Sequence, residues 1–306
     1  MSHSIIDTPE LGDELNRYGP TAARSHPDTP ARLDSTTVDI HAHVHIPAAT
    51  EYMMPHVDPM RIAMVKHAND ATRAVNKKQD EDRMPVAMAD VADRVAVLET
   101  QGIDWQVVAP PPPQCDNQSP VEHAIKGSQL VNDGRAEWVG QRPDKFAGLG
   151  TVPLQAPDDA ARELDRCINE LGLKGVMILT NVDGEEIGDD RFEPFWRKAE
   201  DLGALVMIHP NGFTEGARFH EYYFSNVIGN PLETATALHY LIFNGVLERM
   251  PDVRILGVHG GGFLPAYSGR IDHAWGARKD CHAGLPKPPT EYLRKVFFDN
   301  VVFSHH

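Results

Sequence analysis

Thr37-Val38-Asp39-Ile40-His41-Ala42-His43 is the stretch from which the fold is read. It is a short apolar run ending in two histidines, one residue apart. Successive side chains of a strand point to opposite faces, so residues two apart look the same way. Both imidazoles therefore face one side and can reach a common metal ion. Two later stretches repeat the arrangement: Leu205-Val206-Met207-Ile208-His209 and Val253-Arg254-Ile255-Leu256-Gly257-Val258-His259. Histidines gathered at strand ends point to a metal-dependent site rather than to satisfied core histidines.

Outward from these runs, strand and helix signals alternate. Strands are expected at 36–41, 105–109, 146–152, 175–179, 205–209, 253–258 and 296–299. Between them the apolar spacing predicts helices at 90–101, 119–139, 158–171, 192–201, 231–249 and 263–277. The first of these carries Val91, Val95 and Leu98 at helical spacing and stops at Gly102. Short, continuously apolar strands are those of a parallel sheet buried on both faces. The fold class is α/β, a (β/α)₈ TIM barrel of metal-dependent type. Its active site lies at the carboxyl ends of the strands. Seven strands are legible, so strand eight is expected to be missing from the chain as given. A doubly wound open sheet is the runner-up, but no glycine-rich phosphate loop follows the first strand.

Residues 1–35 read as an N-terminal extension and 36–306 as the barrel domain. An insertion at about 46–85 shows no sustained period. A segment that long, directly after two candidate ligands, reads as a lid over the site. The chain has 306 residues and a formal net charge of −15, with no basic stripe, which argues against nucleic-acid binding. Its three cysteines, Cys115, Cys167 and Cys281, form neither a disulfide framework nor a zinc-ribbon spacing. No signal-peptide pattern and no run of membrane-spanning length is present. A soluble, cytoplasmic protein is expected.

Each motif has its own chemistry. Imidazoles at His41 and His43 suit zinc, iron or copper. His45 continues the alternation past the strand end and reads as supporting or structural. Pro210 forces the chain out of its strand directly after His209, which places that side chain at the rim. Three glycines after His259 allow a sharp turn and close approach to a ligand. His259 is then a ligand or a general acid/base near neutral pH. Arg270 follows it by eleven residues. A guanidinium can hold a carboxylate bidentately, although by position alone Arg270 is an exposed helix arginine.

With these motifs the chain resembles the amidohydrolase-2 branch of the amidohydrolase superfamily, and within it the aminocarboxymuconate semialdehyde decarboxylase-like proteins. The resemblance lies in Val38-Asp39-Ile40-His41-Ala42-His43, Met207-Ile208-His209-Pro210, Asn230-Pro231-Leu232-Glu233-Thr234-Ala235 and His259-Gly260-Gly261-Gly262-Phe263-Leu264-Pro265, continued by Gly269-Arg270-Ile271. It implies a barrel with one divalent metal, usually zinc, with manganese or iron(II) as alternatives. By resemblance His41, His43 and His209 are metal ligands and His259 is the catalytic acid/base. Arg270 matches an arginine that reaches a substrate carboxylate in the neighbouring subunit's site, which implies a homodimer.

The family's remaining ligand is an aspartate ending strand eight, in a Gly-x-Asp-Tyr-Pro-like motif. This chain stops at Ser304-His305-His306, and Asp299 belongs to the strand-seven region. The authentic protein is expected to be longer. Lys174, on strand four, has no metal-bridging role in a one-metal branch. The implied activity is non-oxidative decarboxylation of an aromatic or unsaturated carboxylic acid. The alternative is a hydrolase of a lactone, amide or carbon–carbon bond, and a non-catalytic barrel is a third reading.

Overall fold

The computed structural model describes residues 34–87, 90–282 and 284–302. The expected N-terminal extension, up to residue 33, lies outside the described residues. Seven strands form one sheet in chain order, each parallel to the next. They are β1 (Val38–His43), β2 (Trp105–Ala109), β3 (Phe146–Gly150), β4 (Gly175–Leu179), β5 (Leu205–His209), β6 (Arg254–Gly257) and β7 (Phe297–Phe298). β1 and β7 are the two ends of the hydrogen-bonded order. Even so, His41 on β1 bonds directly to Asp299, just beyond β7, at 2.6 Å. The sheet is therefore curled round on itself, as a barrel is, and it holds the seven strands read from the sequence; a separate hairpin pairs Asn181–Val182 with Glu185–Glu186.

Alternation along the strands sorts their side chains. Leu149, Met177, Met207, Leu256 and Val258 pack together inside the curl. Met177, Met207 and Leu256 are direct register partners across β4, β5 and β6. The intervening Val176, Ile178, Val206, Ile208 and Ile255 face outward into a second core beneath the helices. Fully burying one such side chain contributes about 1.5–3 kcal/mol. The two layers explain why each strand reads as an unbroken apolar run.

The helices are α1 (Pro47–Met53), α2 (Asp70–Ala87), α3 (Val91–Gln101), α4 (Val121–Gly140), α5 (Pro157–Asn169), α6 (Glu193–Leu202), α7 (Asn230–Phe243) and α8 (Leu264–Ala277), with shorter turns between some of them. α3 shows how local sequence sets its limits. The Asp90 carboxylate accepts from the Ala92 amide at 2.6 Å at its start, and Gly102 ends it in a left-handed conformation. Its buried face is Val91, Val95 and Leu98.

Two elements differ from the sequence reading. The insertion read as aperiodic contains α1, α2 and two short helical turns between them. Much of α2 is charged or polar, so it carries little apolar period to read. The helix expected at 231–249 is α7 followed by a separate turn, Val246–Arg249, because Gly245 takes a positive φ of 75°. A π-helical turn, Ser225–Gly229, precedes α7. No described helix is long and apolar enough to cross a membrane.

Candidate metal centre

A bulge in β1 sets the aim of the first two histidines. Ile40 already packs into the inner core. Strict alternation would then send His41 outward. The pairing of β1 with β2 shifts register between Asp39 and Ala42. A shift of this kind re-aims the side chains that follow. His41 and His43 consequently point inward together. Two arginines hold the chain where it leaves the strand. Arg94 on α3 donates to the His43 carbonyl at 3.1 Å, and the buried Arg135 on α4 donates to the Val44 carbonyl at 2.5 Å. His209 ends β5 on the same inner face as Met207.

Ligand-capable atoms of His41, His43 and His209 lie within 4.8 Å of one another. On each ring the other nitrogen is engaged. His43 Nδ1 donates to the Pro110 carbonyl at 2.7 Å, and His209 Nδ1 donates to the Pro210 carbonyl at 2.7 Å. His41 Nδ1 donates to Asp299 Oδ2 at 2.6 Å. A carbonyl or an ionised carboxylate can only accept, so each Nδ1 carries a proton, and a neutral ring then keeps its lone pair on Nε2. His41 Nε2 and His43 Nε2 are 3.2 Å apart. Two lone pairs at that separation repel, and a cation between them relieves the repulsion. The donor set therefore fits a divalent metal ion, with Nδ1 anchored as metal-binding histidines usually are.

Electrostatics agree with that use. Burial is the main cause holding His43 down to about 3, with His41 adding to it. Burial, then the neighbouring His43 and His41, puts His209 well below the ordinary histidine value. Both rings are neutral near pH 7, the state a metal ligand requires.

His259 stands beside the three. Its ring centroid is 5.1 Å from that of His209 and 5.9 Å from that of His41. Its Nδ1 is buried without a hydrogen-bond partner among the described residues. Burial first, and then His41, lowers it to about 4, against the raising effect of Asp299. Its backbone is left-handed, with φ 55°, and Gly260, Gly261 and Gly262 continue at positive φ. A side chain at Gly262 would overlap the Pro231 carbonyl oxygen at the start of α7.

These four histidines share a cavity of about 1010 Å³. Its other walls include Met64, Val65 and Ala68 of the insertion, Tyr223 and Asn226 of the π-helical region, and Arg73, Asn76 and Lys77 of α2. Ile62, Pro113 and Asn211 line both it and a second cavity of about 440 Å³, which Arg61, Asn117 and Thr214 also line.

The remaining candidates lie elsewhere. Arg270 is exposed on α8 and lines neither cavity. His45 turns to Thr50 of α1, with Nε2 2.7 Å from its hydroxyl. Lys174 is exposed at the amino end of β4, the opposite end of the sheet from the histidines. Sequence reasoning missed Arg73 and Lys77, although their four-residue spacing puts both on one helical face. It also gave Asp299 no role.

A curled parallel barrel with clustered histidines at the carboxyl ends of its strands defines the metal-site class of barrel proteins. The chain belongs to the amidohydrolase family, which matches over residues 38–287. It is 36% identical over 210 residues to the 2-amino-3-carboxymuconate-6-semialdehyde decarboxylase of Dictyostelium discoideum, a match covering 68% of this chain and 58% of that protein. It is 31% identical over 210 residues to the gamma-resorcylate decarboxylase of Rhodococcus jostii (strain RHA1), covering 63% and 64%. The chain thus spans less than two thirds of either relative. The 5-carboxyvanillate decarboxylase of Novosphingobium aromaticivorans, solved with manganese, superposes with a TM-score of 0.74 at 22% identity, over 87% of this chain and 78% of that one. That likeness bears on the fold alone.

Proposed function

We propose that this chain is a metal-dependent, non-oxidative decarboxylase of an aromatic or unsaturated carboxylic acid, a carboxy-lyase. The observation that carries the reading is the set of three anchored histidines with converging ligand-capable atoms, beside a fourth histidine whose Nδ1 has no partner among the described residues. The names of the two sequence relatives, both decarboxylases, support it.

His41, His43 and His209 would hold one divalent ion. Three imidazoles suit zinc first, with manganese or iron(II) as alternatives, and the manganese in the structural neighbour makes that ion the one to test beside zinc. When bound, such an ion polarises the substrate or activates a water. His259 moves the proton that must reach the carbon losing carbon dioxide. Its burial makes an imidazolium formed there a ready donor. A substrate carboxylate or ring substituent finds cations in Arg73 and Lys77 on the cavity wall.

We further propose a homodimer in which Arg270 serves the partner's site. Phe263, Tyr267 and Arg270 recur at intervals of four and three residues, so they share one face at the start of α8. Phe263 is 44% and Tyr267 62% exposed. Large exposed aromatic residues beside an arginine suit an interface between subunits. Three free cysteines, two of them buried, fit a cytoplasmic location.

The test is a panel of aromatic and unsaturated acids offered to the zinc- or manganese-loaded protein and scored for carbon dioxide. Release from at least one acid, abolished by a chelator and restored by metal, is expected. Turnover of lactones or amides with no carbon dioxide from any acid would replace the reading with the hydrolase.

A further inference from the structure

We propose that Asp299 is a positioning residue of the metal site, fixing the proton of His41 on Nδ1 and holding the His259 turn with the same carboxylate. The inference rests on the metal reading above and adds a residue to it. Asp299 Oδ2 accepts from His41 Nδ1 at 2.6 Å and from the His259 amide at 3.0 Å. Oδ1 accepts from the Gly260 amide at 2.8 Å and the Val301 amide at 3.2 Å. The side chain is wholly buried, at 0% exposure.

An ionised carboxylate offers about four acceptor sites. Four donors occupy them, so Asp299 has none left for an ion. It acts instead on the side of His41 away from the metal. The other two histidines are anchored by neutral carbonyls, whereas His41 alone is anchored by a carboxylate. A charge-assisted bond of this kind fixes the tautomer and makes the ring a better electron donor to a metal. The same group also links the two halves of the site. It holds His41 on β1 and the amides of His259 and Gly260 in the left-handed turn after β6.

Asparagine at this position has nearly the same shape and the opposite effect. Its amide group must face a pair of N–H donors with a donor of its own. If that group faces His41, the ring is driven to place its proton on Nε2, where the metal lone pair should be.

The experiment compares the full chain with Asp299→Asn by three measurements. Zinc and manganese are titrated against a chelating competitor, the thermal midpoint is recorded, and ring ¹⁵N shifts are measured on metal-free protein. The His41 resonances are identified by their loss in His41→Asn. Metal binding weakened about 10–100-fold is expected, with a thermal midpoint lowered by the backbone amides left facing a donor. The His41 proton should move from Nδ1 to Nε2. Equal metal affinity in both proteins overturns the proposal, as does a proton already on Nε2 in the wild type. A wild type that binds neither metal defeats the metal reading, and the tautomer comparison then decides the role of Asp299 by itself. Should the variant fail to fold, the wild-type tautomer decides: a proton on Nδ1 supports the proposal and one on Nε2 ends it.

Discussion

Replacing His259 by alanine separates the two roles its position allows, ligand or proton carrier. Its ring is as near to His209 as the rings of His41 and His43 are, at 5.1 Å against 5.1 and 5.2 Å. Proximity therefore does not separate them. The anchoring differs, and the proposed roles rest on that difference. His41, His43 and His209 each have Nδ1 tied to an acceptor, while the Nδ1 of His259 has no partner among the described residues. A nitrogen with no fixed partner can take and give a proton. Loss of such a group costs about two to four powers of ten in rate, or about 2.7–5.5 kcal/mol in barrier. Loss of a ligand would lower metal affinity at least as far as loss of a ligand's support, which is about 10–100-fold. The assay is carbon dioxide release under saturating metal, paired with metal affinity by chelator competition. His259→Ala should lose the rate and hold affinity within a few-fold. A parallel His259→Gly should be as inactive, yet more stable than the alanine variant by about 1 kcal/mol, because the backbone there has φ 55°. Metal lost together with activity would refute the assignment and make His259 a ligand.

Three further perturbations test other parts of the structure. Mixing His259→Ala with Arg270→Ala should restore up to about a quarter of wild-type activity if Arg270 acts across a dimer, by random assortment of subunits; no recovery in verified mixed dimers would place Arg270 outside the partner's site. Glu186 is raised to about 7, by burial first and then by Glu233 and Asp189. A carboxyl raised above its unfolded value costs stability as pH climbs from the ordinary range through about 7, so Glu186→Gln should raise the urea midpoint at pH 8 and leave it unchanged at pH 4, and an equal gain at both pH values would contradict the cause given. Gly212→Ala should raise KM more than it lowers kcat, because a Cβ there overlaps the Met64 amide, which donates to the Asn211 carbonyl at 3.1 Å and ties the insertion to the exit of β5; unchanged KM in a folded variant would mean that this contact does not shape the cavity.

The barrel frame was legible because its physics is local. A parallel strand buried on both faces must be apolar throughout, and Gly175–Leu179 and Leu205–His209 were read at the bounds they take. Alternation placed His41 and His43 on one face without any knowledge of partners. The bulge that turns this face inward leaves no mark in Val38-Asp39-Ile40, because it depends on how β1 pairs with β2. The helices of the insertion were not legible for the opposite reason. α2 is largely polar, and a helix without much apolar period gives a pattern search little to find.

Asp299 shows where sequence reading stops and why. It lies 258 positions from His41, and nothing near it in the chain signals a carboxylate bonded to an imidazole. Burial opposes its charge. Bonds from His41 and from the Gly260 and His259 amides nevertheless hold it below the usual carboxylate range. These partners come from two strand ends that meet only once the sheet has curled. Strand periodicity can therefore place the inward-facing histidines, whereas the groups that orient them belong to the closure of the fold. The same closure brings His41 and the His259 turn onto one carboxylate, so a change at Asp299 should disturb metal binding and the placement of His259 together, as changes at Arg73 or Lys77 should not.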